Sequence, residues 1–192
     1  MVQLPEDIDE QLTKVDKETK KDLIKINAFL DKYEKPHFIT EVGKQRLRLA
    51  GKDISNMYVD KGFRVLKVDS SNMEDVYYSP DDLHKQDLFK DNVKTDRTAE
   101  DLLFQVMLDL GVQLSSKIET KQINGKSIYY VNGNYLVACF DQEITEETIT
   151  EIAKEKPYYF VMRDSGFASD SVSTNFEQIF ATYSPDTVRK VL

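Results

Sequence analysis

Two carboxylates flank a small-residue turn in RDSGFASD, residues 163–170, and that spacing has chemistry in it. Asp164 and Asp170 could hold a metal ion or divide general-acid and general-base work between them. The stretch follows the apolar run YYFVM and precedes a helical pattern. Open α/β sheets bind ligands at that place, beyond the carboxyl ends of their strands. No third ligand stands nearby, however, and Ser165 has no base beside it. The two histidines, His37 and His84, lie far upstream. The same residue types also favour turns and helix starts. Ser169 or Asp170 is placed to cap a helix carrying Val172, Phe176, Ile179, Phe180 and Tyr183. Asp164 could accept backbone amides, Gly166 would relieve the turn, and Phe167 would pack beneath it. Capping is the favoured reading of both acids, with a subunit contact second.

Other chemistry-bearing residues are few. Arg46 and Arg48 lie in GKQRLRLAGK (43–52), the one local basic run, which reads as a solvated helix face or as a contact for phosphates. Cys139 sits in an apolar run, where a structural thiol is expected. The tyrosine pairs Tyr77-Tyr78 and Tyr158-Tyr159 could stack bases, but without basic flanks each reads as one residue in and one out. The chain contains no Walker A loop, dinucleotide glycine fingerprint, nucleophile elbow or HExxH. One cysteine and two scattered histidines cannot write a zinc site of usual spacing.

Composition narrows the class. The 192 residues suit one medium domain or two small ones. A formal charge of −8 disfavours a surface whose main task is to track a phosphate backbone. No apolar run approaches a membrane span, and MVQL runs into PEDIDE too soon for a signal peptide. A single cysteine fits a reducing cytoplasm.

The elements that must position these residues follow from periodicity. MVQL reads as the end of a strand stopped by Pro5, and the expectation is that the chain opens inside an element of something longer. Residues 8–33 read as a charged helical region and 38–50 as a second helix with Ile39, Val42 and Leu49 on one side. GFRVLKVD (62–69) reads as a strand, and 70–97 as an acidic linker. Thr98 and Asp101 form a variant capping box for a helix ending at Gly111. A strand is expected at 112–119. Asn124-Gly125 and Asn132-Gly133 are type I′ hairpin signals, giving an antiparallel meander that ends in YLVACF. ITEETITEIAKEK, YYFVMR, SDSVSTNFEQIFATY and TVRKVL then alternate helix and strand, which implies right-handed crossovers. The expected class is α/β with α+β elements: a helical N-terminal part with a strand remnant, then a meander leading into a βαβαβ mixed sheet.

Seven phrases occur in a familiar order: MVQLPE, FITEVGKQRLRLAGK, GFRVLKVDSSN, DRTAEDLLFQVMLDLGVQLS, YLVACFD, RDSGFASD and NFEQIF. Together they resemble the C-terminal part of the modification (Mod) subunit of type III restriction–modification systems. That subunit is an adenine-specific DNA methyltransferase using S-adenosylmethionine. The resemblance covers nearly the whole chain. It implies that residues 1–69 close a methyltransferase-like fold and that 98–192 form an appended α/β domain after the 70–97 linker. The family's acid-or-Asn-Pro-Pro-Tyr motif and its glycine-rich cofactor turn are not in this sequence. The resemblance therefore implies no catalysis by these residues alone and no cofactor held by them in isolation. MVQLPE resembles the strand carrying the ribose-binding residue, making Gln3 or Glu6 the remnant of the cofactor pocket. The implied role is Mod dimerisation or docking of the restriction (Res) subunit, with DNA reached through the parent enzyme. The alternative is an accessory DNA-backbone module acting through Arg46 and Arg48.

Overall fold

The computed structural model describes residues 3–55, 58–74 and 92–192. They divide into two compact units, residues 1–65 and 66–192.

The first unit is helical. Asp7 caps α1 (Ile8–Gln11) and Asp16 caps α2 (Lys17–Asp31), each carboxylate accepting two backbone amides. The long helical region read from the sequence is thus broken at 12–16, because Asp16 starts a helix of its own. α3 (Ile39–Asp53) follows Pro36 as expected. Ile8, Leu23 and Leu30 form a small core with Leu12, Val15, Ile26, Phe29 and Val42 packed around it. Two strand expectations fail here. Met1 and Val2 of the expected MVQL strand lie outside the described residues; residues 3–6 are exposed and carry no strand, and the nearest pairing is a lone bridge from Asp7 to Phe38. Residues 62–69 are also exposed and belong to no strand. β-forming side chains make a strand only where a neighbour completes the hydrogen-bond ladder and covers a face, and neither segment has one.

The second unit is a five-stranded mixed sheet in strict sequence order, β1 to β5. β1 (Ile118–Ile123), β2 (Lys126–Val131) and β3 (Leu136–Cys139) form the antiparallel meander. β4 (Tyr159–Met162) and β5 (Val188–Val191) are added in parallel through α5 (Glu146–Lys154) and α6 (Asp170–Tyr183). Asn124, Gly125, Asn132 and Gly133 all have positive φ; Asn124-Gly125 is the two-residue turn expected, whereas Val131 pairs with Leu136, so Asn132-Gly133 opens a longer loop.

Period-two alternation sorts the sheet residues between two cores. Ile128, Tyr130, Val137, Cys139, Phe160 and Met162 face α5 and α6, meeting Ile149, Ile152, Phe176 and Phe180. Val131, Leu136, Ala138 and Val161 face α4 (Ala99–Asp109), meeting Leu102, Leu103, Val106 and Met107. The architecture is helix, sheet, helices in three layers.

Two boundaries differ from expectation. The first strand starts at Ile118 instead of 112, because the Asn124-Gly125 turn sets Ile123 opposite Lys126 and hence Ile118 opposite Val131. β2 ends at Val131, so the ladder stops at Ile118, and residues 112–117 are held by turn bonds instead, such as that from the Asn132 amide to the Lys117 carbonyl. The 70–97 segment is not all linker. Val93 is buried in the α4-side core, Met73 bridges to it, and Arg97 binds Asp69 at 3.0 Å. The middle of that segment, with Tyr77, Tyr78 and His84, lies outside the described residues.

Candidate functional site

The RDSGFASD segment does stand at the carboxyl end of a strand. β4 ends at Met162, and Asp164–Gly166 form a single 3-10 turn. Its backbone is latched on two sides. The Asp164 amide donates to the Leu192 carbonyl at 3.0 Å, next to β5. Ile144, in the loop after β3, donates to Gly166 O at 2.8 Å and accepts from the Ala168 amide at 3.0 Å. That loop is itself held, since the Asp141 carboxylate accepts the Ser127 amide at 2.7 Å and Lys126 donates to the Gln142 carbonyl. The turn is therefore fastened through its main chain, not through its acids.

The two acids lie apart from any such contact. Asp164 is exposed at the head of the turn. Asp170 is the first residue of α6, and only its carbonyl is engaged, accepting from Thr174. Ser169 occupies the N-cap position but makes no capping bond. Its hydroxyl pairs with Ser171 at 2.8 Å, which diverts the oxygen from the helix amides. Side-chain capping, expected of Ser169 or Asp170, is not realised. Nor does Gly166 serve by relieving φ, since its value is not positive. It serves by close approach: a Cβ there would meet Asp141 O at 3.0 Å. Phe167 does pack as expected, edge-on to Phe176 at 5.4 Å.

The remaining expected residues separate. Gln3 is exposed in irregular chain. Glu6 accepts from Gln11 Nε2 at 2.7 Å, and its carbonyl accepts the Ile39 amide, so it braces the start of the first unit. Arg46 and Arg48 are two residues apart on α3, about 200° around a helix of 3.6 residues per turn. Arg48 donates to Gln45 at 3.4 Å and stands 4.0 Å from Glu41, and Arg46 points elsewhere on the helix. Cys139 is fully buried, and burial pushes its thiol up to about 11. Among the described residues no cluster of His, Cys, Asp and Glu could hold a metal ion, and no helix is long and apolar enough to cross a membrane.

Two concave surfaces emerge that local sequence did not show. In the second unit, Tyr135, Tyr158 and Tyr183 line a recess of about 570 Å³ with Pro157, Pro185, Asn134 and Lys156. The three tyrosines are 42, 53 and 42% exposed. Tyr135 and Tyr158 lie parallel with centroids 5.3 Å apart, and Tyr159 meets both edge-on. Tyr158 directly precedes β4 and Tyr135 directly precedes β3, so the parallel pairing of Leu136 with Tyr159 brings them side by side. In the first unit, a recess of about 690 Å³ is lined by Tyr33, Gln45, Phe63 and the cations Lys35, Arg48, Lys52 and Lys61. Helix α3 supplies its local basic run, but Lys35 and Lys61 come from either side of it, and only the fold assembles the four.

No family model, curated protein or solved structure matches the chain.

Proposed function

We propose that the chain is the C-terminal part of the Mod subunit of a type III restriction–modification system and that its second unit serves assembly. The parent subunit would methylate adenine in DNA with S-adenosylmethionine. The part described here would join Mod to Mod or seat the Res subunit. The family assignment draws on the seven phrases quoted above. The assembly role draws on the tyrosine recess. Large aromatic side chains exposed side by side at the ends of two paired strands suit the anchoring of a protein interface, where aromatic residues are enriched. Tyr135 and Tyr158 hold each other in place by stacking, so little side-chain entropy remains to be lost on docking.

The test is light scattering and co-purification of the chain with full-length Mod and with Res. Binding to one of them, weakened at least tenfold by the double change Tyr135→Ala and Tyr158→Ala, supports the reading. A chain that stays strictly monomeric and binds neither subunit sinks it.

A further inference from the structure

We infer that the recess of the first unit is a binding site for a nucleoside phosphate, its phosphate held by the cations and its base laid against Phe63 and Tyr33. This goes beyond the assembly reading and concerns the other unit, so either can fail without the other.

Charge carries the first step. Lys35, Arg48, Lys52 and Lys61 line the recess and no carboxylate does, in a chain whose formal charge is −8. Four like charges around one concavity repel one another, and an anion placed among them relieves that repulsion. α3 neutralises a cation where it has an acid to spare: Lys44 is paired to Glu41. The recess cations are treated differently. Arg48 reaches the same Glu41 only at 4.0 Å, and Lys61 is bonded to a neutral carbonyl, that of Ile54. Lys35 and Lys52 have no carboxylate partner among the described residues.

The aromatic rings narrow the class of anion. Phe63 is 40% exposed, and the Arg48 guanidinium carbon stands 6.0 Å from its ring centroid. A ring beside a guanidinium is a platform on which a base can stack, tolerant of which base it is. Tyr33 is steadied by Phe29, edge-on at 5.3 Å. Gln45, only 5% exposed, adds a carboxamide to the lining. The recess, about 690 Å³ and open to solvent, has room for a small molecule. A concavity of this size has room for one nucleotide, and a duplex keeps its bases stacked and out of reach of the rings. A free nucleotide and an unpaired nucleotide within a single strand share this chemistry.

The experiment titrates the full chain calorimetrically with inorganic phosphate, AMP, a short single-stranded oligodeoxynucleotide and the duplex of the same sequence. AMP or the single strand should bind at least tenfold more tightly than inorganic phosphate. Lys35→Gln with Lys52→Gln should weaken binding at least tenfold. Phe63→Ala should reduce the nucleotide's affinity towards that of phosphate. All three side chains are at the surface of the recess, so circular dichroism should show the variants folded, and Phe63→Leu replaces any that is not. AMP matching the single strand identifies a free nucleotide as the ligand; a single strand tenfold tighter identifies a strand. The inference is overturned if neither binds more tightly than phosphate. It is equally overturned if the duplex binds as well as the single strand and Phe63→Ala changes nothing.

Discussion

A side chain on Gly166 would place its first carbon 3.0 Å from the carbonyl oxygen of Asp141. That oxygen is backbone, in a loop already held by the bonds to Ser127 and to Gly166 itself, and it has little room to retreat. The glycine lets the turn after β4 lie flat on the loop after β3.

Gly166→Ala should therefore destabilise the protein by about 1–3 kcal/mol, the usual cost of forcing an extra carbon into a packed site. Urea unfolding would show it as a lower midpoint at unchanged slope. A midpoint equal to that of the parent would mean that the loop moves aside freely.

Thr98 and Ser169 occupy equivalent cap positions and should respond differently. Thr98 exchanges bonds with Asp101 in both directions, so Thr98→Ala should cost about 1 kcal/mol. The Thr98 hydroxyl, then its amide, donate to the Asp101 carboxylate and hold it below its ordinary range, so this stabilisation is present above the unfolded carboxylate pKa and is lost as pH falls. Ser169→Ala, and Asp164→Asn beside it, should stay within about 0.5 kcal/mol, since neither side chain bonds the backbone. Thermal melts of the three variants side by side would decide it.

His37 joins two acids. Its Nδ1 lies 2.9 Å from Asp9, at the start of α1, and its Nε2 lies 2.9 Å from Asp31, at the end of α2. Asn27 donates to the same Asp9 carboxylate. The bonds to Asp31, then those to Asp9, raise the imidazole pKa above its ordinary value. A raised pKa stabilises the folded state fully below about pH 6.5, and the benefit disappears as pH climbs through the folded value. The first unit should melt at lower temperature as pH rises past neutrality, and His37→Gln should flatten that dependence. A parent melt that is already flat from pH 6 to 8 would refute the clamp.

Cys139 should behave as a reporter of unfolding. Its side chain is fully buried and its thiol is pushed up to about 11, so little thiolate exists or reaches solvent at neutral pH. Labelling by a disulfide reagent should follow global unfolding and accelerate with denaturant. Rapid labelling in buffer would contradict that burial.

The second unit was legible because its signals are local. A capping box, two Asn-Gly turns and apolar runs of four to six residues each act within a few positions, and the crossover rule then leaves few topologies. The strand expected at 62–69 failed for the converse reason. Val65, Leu66 and Val68 have the right character, but whether they pair depends on a neighbour that composition does not reveal. Capping at Ser169 failed more subtly, since Ser171 competes for the same hydroxyl. The candidate sites were the least legible. The three tyrosines of one recess are separated by more than twenty positions each, and the four cations of the other come from three segments. Only the pair at 158–159 gave a hint: one residue in and one out was expected, and the sheet leaves Tyr158 exposed while Tyr159 packs against the α4-side core.

The unbroken sequence order of the five strands has a consequence for how the second unit is made. Each strand pairs with the one synthesised just before it, so none must wait for a distant segment to emerge. The β1–β2 hairpin can close first, in microseconds, around a two-residue turn. Accretion of β3, then of each helix–strand pair, lengthens the sheet at one growing edge. No pairing spans more than one helical crossover, which keeps the sheet's contacts as local as its two parallel pairs allow.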